Sequence, residues 1–149
     1  MKKTLIIFTS LIFSACSSIK TEVGILRDKT NTLSIPIGLD NTLNVMAILD
    51  TGCSDVSIPP YIAYTLFAEG KISEKQYLPS RKYLLANGSV VTCPRFLLKE
   101  LKIGSFVLKD VACSISESNS SKILIGQSVL GLFKVVRIDN ENDKLILFL

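Results

Sequence analysis

A chain of 149 residues, 48% of them apolar, can bury one core and is short for two, so one domain is expected. The net charge of +4 is spread over scattered Lys and Arg, and aromatic residues make up 7% with no Trp, which leaves neither a nucleic-acid footprint nor a base-stacking platform. The chain has no His, and Cys16, Cys53, Cys93 and Cys113 form no C-x-x-C pair, so neither a metal nor another cofactor is expected, and acid–base chemistry falls to carboxylates, Lys or Tyr.

Residues 1–15 have the form of an export signal: Lys2 and Lys3 precede an apolar stretch over residues 4–13 that is short for a membrane-spanning helix. The stretch ends in Phe13-Ser14-Ala15-Cys16, which resembles the bacterial lipobox, with Phe13 where Leu is usual. That resemblance implies cleavage before Cys16, acylation of Cys16 at the new terminus and a place in the bacterial cell envelope, facing the periplasm. The lack of an Asp after Cys16 favours the outer membrane. Residues 16–31 are polar apart from Val23, Ile25 and Leu26 and are expected to be a tether, with the folded domain over residues 32–149.

Within that domain, Leu33, Ile35 and Ile37 alternate with polar residues and predict a half-buried strand, turned back at Asp40-Asn41. Residues 45–49 are continuously apolar, as in a central strand covered on both faces, and run into Asp50-Thr51-Gly52. A short strand over residues 55–58 follows, then a helix opened by Pro59-Pro60 and stopped by Gly70, and a further turn with Ser73 and Gln76 spaced as a capping box. The rest reads as all-β. Residues 82–86 and 89–93 flank Asn87-Gly88 as a hairpin, and Pro94 marks a bend or bulge. Strands over 96–103 and 106–116 join at Gly104-Ser105, a short buried strand covers 123–125, one helical turn is placed in 128–133, and residues 134–138 and 144–148 close as a hairpin.

The chemistry-bearing element is Leu49-Asp50-Thr51-Gly52, a carboxylate at the end of an apolar strand followed by a hydroxyl and a glycine that lets backbone approach the carboxyl. By itself the tripeptide also fits a strand ending in an Asx-type turn. Two further markers fall in order behind it, Ala86-Asn87-Gly88 and Ile123-Leu124-Ile125-Gly126-Gln127. Together the three resemble the retropepsin-like aspartic peptidases over residues 32–149, with Gln127 standing where retroviral members often carry Arg.

The resemblance implies a single-domain, all-β acid-protease barrel with one or two short helices. It implies Asp50 as catalytic residue, Thr51 and Gly52 as support for its loop, Cys53, Ser54 and Asp55 as cleft residues, and Ala86, Asn87 and Gly88 as the tip of a flap over an extended peptide substrate. Cys53 has no base beside it in the sequence to make it a nucleophile, and Cys113, on one face with Val111 and Ile115, reads as a buried thiol. Because only one Asp-Thr-Gly exists, a two-lobed monomer is excluded and the implied enzyme is a two-fold homodimer whose peptide-bond hydrolysis uses Asp50 from both copies. The apolar run over 145–149 suits either a subunit interface or a core strand of the same subunit. The alternative function is a peptide-binding lipoprotein module that keeps the fold with weak or no turnover.

Overall fold

The computed structural model describes residues 19–149; the expected export segment and the lipidation residue Cys16 lie outside the described residues. Eleven strands and two short helices follow one another in the order β1 (Lys20–Gly24), β2 (Leu26–Arg27), β3 (Leu33–Leu39), β4 (Leu43–Leu49), β5 (Val56–Ile58), α1 (Pro60–Ala68), β6 (Tyr77–Leu84), β7 (Val90–Ile103), β8 (Phe106–Ile115), β9 (Ile123–Ile125), α2 (Gln127–Leu130), β10 (Val135–Asp139) and β11 (Lys144–Phe148). The eight-stranded sheet runs β2-β3-β4-β9-β5-β8-β7-β6, and an added pairing of β3 with β7 closes it into a barrel. The seam of that closure is extended by side-chain chemistry, since Asp40 N donates to Glu100 O at 2.9 Å and Glu100 N donates back to Asp40 Oδ1 at 2.6 Å.

Inside the barrel, the alternating residues Ile35, Ile37 and Leu39 of β3 meet Phe96, Leu98 and Leu101 of β7, all buried. This is the half-buried strand that the pattern over 32–38 predicts. β4 is central, between β3 and β9, yet only one of its faces is covered. Ala47 is buried whereas Met46 is 41% exposed, because Met46 and Ile48 line an open groove with Tyr61 and the loop at Asn119 and Lys122. An apolar run therefore marked centrality in the sheet correctly and double coverage wrongly.

The stretch expected to be a tether is largely folded. β1 pairs antiparallel with β11, from Lys20 opposite Phe148 to Gly24 opposite Lys144, and β2 pairs with β3. The physical reason is a short alternation that the polar composition hides: Thr21, Val23 and Ile25 are all buried, and Thr21 Oγ1 accepts a hydrogen bond from Ser105 N at 3.0 Å. Gly104, with φ +58°, turns β7 into β8 directly beneath this strand; a Cβ there would sit 2.3 Å from Thr21 Oγ1. The pairing extends to Ile19, whose carbonyl accepts from Leu149 N at 3.1 Å.

At the other terminus, β11 is the middle strand of a three-stranded sheet, β1-β11-β10. Leu145 and Leu147 are fully buried and join the barrel core. Of the two readings of the terminal run, a core strand of the same subunit is the one realised.

Two further local expectations are refined. Leu78 pairs with Arg95 but Arg81 with Cys93, so the bulge lies opposite Pro94: the extra residue is on β6, and β7 continues unbroken through the proline. The Ser73 turn is a single 3-10 turn in which Gln76 Oε1 accepts from Ser73 N at 3.0 Å.

Candidate active site

The barrel order places β9 between β4 and β5, so the loop of residues 50–55 that joins β4 to β5 must pass over the end of β9. The crossing is tight. A Cβ on Gly126 would lie 2.4 Å from the carbonyl oxygens of both Cys53 and Asp55, which is why the strand ends in glycine. From below, the loop is held by three donors: Gln127 N to Cys53 O at 2.8 Å, Ser128 N to Ser54 O at 2.8 Å and Gln127 Nε2 to Thr51 O at 3.1 Å. Gln127 therefore braces the loop through a neutral hydrogen bond.

Asp50 is half-buried at the head of this loop, with its N–H still in the β4–β9 ladder as a donor to Ile125 O at 3.1 Å. Its Oδ1 accepts Gly52 N at 2.9 Å, and its carbonyl accepts Cys53 N at 3.2 Å, an Asx-type turn that points the carboxyl back over its own loop. A Cβ on Gly52 would come to 3.3 Å from that same Oδ1, so the glycine keeps the approach open. Thr51 and Ser54 are exposed.

Cys53 donates through Sγ to Asp55 O at 3.0 Å. Burial pushes its thiol pKa up, and the carboxylates of Asp50 and Asp55 add to the shift, so it stays a thiol and not a nucleophilic thiolate. Cys53 is half-buried and Cys93 and Cys113 are buried, and all three are free thiols whose pKa is raised chiefly by burial.

Asp55 is the residue whose surroundings the sequence did not disclose. It is 4% exposed, and its Oδ2 accepts the Tyr83 hydroxyl at 2.6 Å. Arg95 Nε lies 3.1 Å from Oδ2, close enough for an ion pair although its N–H is not aligned as a hydrogen bond, and an Arg81 guanidinium nitrogen lies 3.8 Å from Oδ1. Burial and the Asp55 carboxylate push the Tyr83 hydroxyl up to about 12, so it donates at any working pH.

Tyr83 and Arg81 belong to β6 and Arg95 to β7, the two strands of the hairpin over the site. At its tip Gly88 N donates to Leu85 O at 2.9 Å and Gly88 has φ +83°, with no positive φ at Asn87. This is a three-residue connection with a glycine bulge, in place of the two-residue turn that Asn87-Gly88 predicts. Asn87 Oδ1 accepts Ser89 N at 3.0 Å, and Ala86, Asn87 and Gly88 are all exposed. Of the expected site residues, Asp50 to Asp55 share one loop, while the tip residues reach that loop only through the roots of their hairpin. Tyr83, Arg81 and Arg95 were missed; the pairing of Arg81 with Cys93 puts them on one face of the hairpin, a register that no local pattern discloses.

A carboxylate-bearing loop crossed from below by a glycine-ended strand and overhung by a hairpin, within a small β-barrel, is the construction of the aspartic peptidases. The model of the family described as "gag-polyprotein putative aspartyl protease" matches residues 35–131. A crystal structure of a retropepsin-like aspartic protease from Rickettsia conorii superposes with a TM-score of 0.66 at 26% sequence identity, covering 89% of this chain and 93% of that one. No curated protein matches. The chain belongs to the retropepsin-like aspartyl protease family.

Proposed function

We propose that this protein is an aspartic endopeptidase whose active site forms between two copies of the chain, each contributing Asp50. The observation that carries the reading is the state of the two carboxyl groups on the loop. Asp50 is half-buried and takes one backbone donor, whereas Asp55 is buried and occupied by Tyr83 and Arg95. One subunit thus offers one available carboxyl. Peptide hydrolysis by this chemistry needs two.

Two carboxyl groups sharing a site hold one proton between them, because both cannot ionise cheaply. The ionised member takes a proton from water as the water oxygen attacks the scissile carbonyl, and the protonated member gives its proton to the carbonyl oxygen. The tetrahedral intermediate then collapses as a proton passes to the leaving amine, and no acyl-enzyme forms. The titration belongs to the pair and not to either copy of Asp50. Gly52 N fixes the carboxyl, and the hairpin tip at Asn87-Gly88 closes over the peptide to exclude water.

The same proposal places the protein in the cell envelope through acylated Cys16. β1 begins at Lys20, four residues after Cys16, so the anchor would attach close in sequence to the folded domain. Anchoring would hold copies close together and favour pairing.

The test mixes wild-type protein with Asp50→Asn in equal amounts, on membranes and in solution, and follows hydrolysis of an unfolded protein with and without a pepstatin-type inhibitor. Shared sites predict that about one quarter of dimers stay active after free exchange. Activity that tracks the wild-type fraction linearly, with exchange independently confirmed, would refute the shared pair.

A further inference from the structure

The hydrolytic step leaves Asp55 unused, yet this buried carboxylate receives its side-chain partners from the flap hairpin alone: Tyr83 and Arg81 on β6, and Arg95 on β7. Arg81 lies opposite Cys93 across the hairpin, so Arg81, Tyr83 and Arg95 project from one face, toward the loop that carries Asp50. A buried charge deprived of its partners is costly, and here swinging the hairpin away from the loop would deprive it of all of them. Asp55 thereby sits where motion of the flap and the shape of the catalytic loop meet.

We propose that Asp55 is a positioning residue that fastens the roots of both flap strands to the catalytic loop, chiefly through the Tyr83 hydroxyl, so that only the tip beyond Tyr83 opens for substrate. The proposal rests on the aspartic-peptidase reading for its kinetic consequence. Tyr83 is the critical contact because its 2.6 Å bond is the aligned one, while Arg95 Nε is near but not aimed and Arg81 is half-exposed at 3.8 Å. Beyond Tyr83 the hairpin has no comparable fastening: Leu84 is 76% and Val90 61% exposed. The loop is meanwhile fixed from beneath by Gln127 and Ser128, so it is the stationary partner.

The test is Tyr83→Phe, which removes one oxygen, keeps the ring and leaves both arginines to neutralise Asp55. With the fold verified by thermal melting, backbone amides in residues 77–84 and 90–96 should exchange faster. KM for a peptide substrate should rise about tenfold with kcat within about twofold, because the closed, binding-competent flap becomes less populated. In an Asp55→Asn background the same substitution should have little further effect, since the bond it breaks has already lost its charge. Unchanged exchange and KM in Tyr83→Phe overturn the proposal, as does full additivity with Asp55→Asn. A fall in kcat at constant KM also overturns it, by placing Tyr83 in the chemistry. Should Asp50→Asn leave hydrolysis intact, the peptidase reading fails, and the exchange measurement still decides the fastening without any substrate.

Discussion

Adding one methyl group at Gly126 tests whether the strand beneath the loop sets the geometry of Asp50. The new Cβ would stand 2.4 Å from two backbone oxygens, those of Cys53 and Asp55, against 3.4 Å for ordinary contact, so the loop must retreat by about 1 Å. No side-chain rotation relieves the clash. Cys53 O is also the acceptor of Gln127 N at 2.8 Å, so the retreat stretches a bond that holds the loop. Backbone torsion adds nothing to the cost, since φ −100° and ψ −169° are open to any residue. Overpacking of this kind costs ~1–3 kcal/mol. At ~2–4 °C per kcal/mol that lowers Tm by several degrees. A displacement of about 1 Å at a reacting group costs on the order of 10²-fold in rate. Gly126→Ala should therefore show both losses, read by scanning calorimetry and by kcat/KM on a peptide. Gly24→Ala is the control: its Cβ would meet nothing within 4 Å, and its effect should stay within about 0.5 kcal/mol. If Gly126→Ala matches Gly24→Ala in both Tm and kcat/KM, the strand does not set the loop.

Gly88→Val places a β-branched residue at φ +83°, so the flap tip should rearrange and kcat/KM fall about tenfold or more while Tm, set by the barrel, moves by only a few degrees; unchanged kinetics in the folded variant would remove the tip from the mechanism. Asp40 has its carboxyl pKa raised, chiefly by burial, with Oδ2 lacking a partner. A raised folded-state pKa means that the ionised form costs stability at neutral pH and that the cost vanishes as pH falls through the raised value. Asp40→Asn should then stabilise by up to about 1 kcal/mol at pH 7, with a gain that shrinks in acid; denaturant unfolding at several pH values reads it, and a gain independent of pH would contradict the cause. Cys16→Ser should move the protein from the membrane fraction to the soluble one, and a wild-type protein already soluble without detergent would dispose of acylation.

Strand positions over residues 32–148 were largely legible because burial on one face imposes a period of two, as in Leu33, Ile35 and Ile37. The irregularity opposite Pro94 was legible because proline lacks the donor that a ladder needs, although the extra residue lies on the facing strand. The failures have a common form. β1 was taken for a tether because its exposed positions, Lys20, Glu22 and Gly24, dominate its composition, while the buried Thr21 is polar and bonds to a residue 84 positions away. Asp55 reads as a cleft residue because its neighbours in the chain belong to the catalytic loop, and what the sequence hides is its burial against the hairpin. Its partners arrive from positions 26 to 40 residues later, and no local pattern carries that information. Residues whose roles were set by their own strand could be read; residues whose roles were set by partners distant in the chain could not.

That distinction bears on how two copies would meet. β11 has a strand on either side, so it offers no free edge, and a partner must use other surfaces. β10 presents its outer edge with Val135, Val136 and Ile138 exposed, and Thr51, whose carbonyl is taken by Gln127, is exposed beside Asp50. In the proposed dimer the contact near Thr51 has the stricter duty. Two Asp50 carboxyls share a proton only at hydrogen-bonding distance, so the loops must approach as closely as their exposed Thr51 and Gly52 permit. The loop of each subunit is clamped before that approach, by Gly126 to Ser128 below and by Tyr83 and Arg95 above. Pairing then needs to position two rigid loops and not to order two flexible ones, which keeps the entropy cost of assembling the site low. Weak association would suffice for activity if the anchor supplies the concentration.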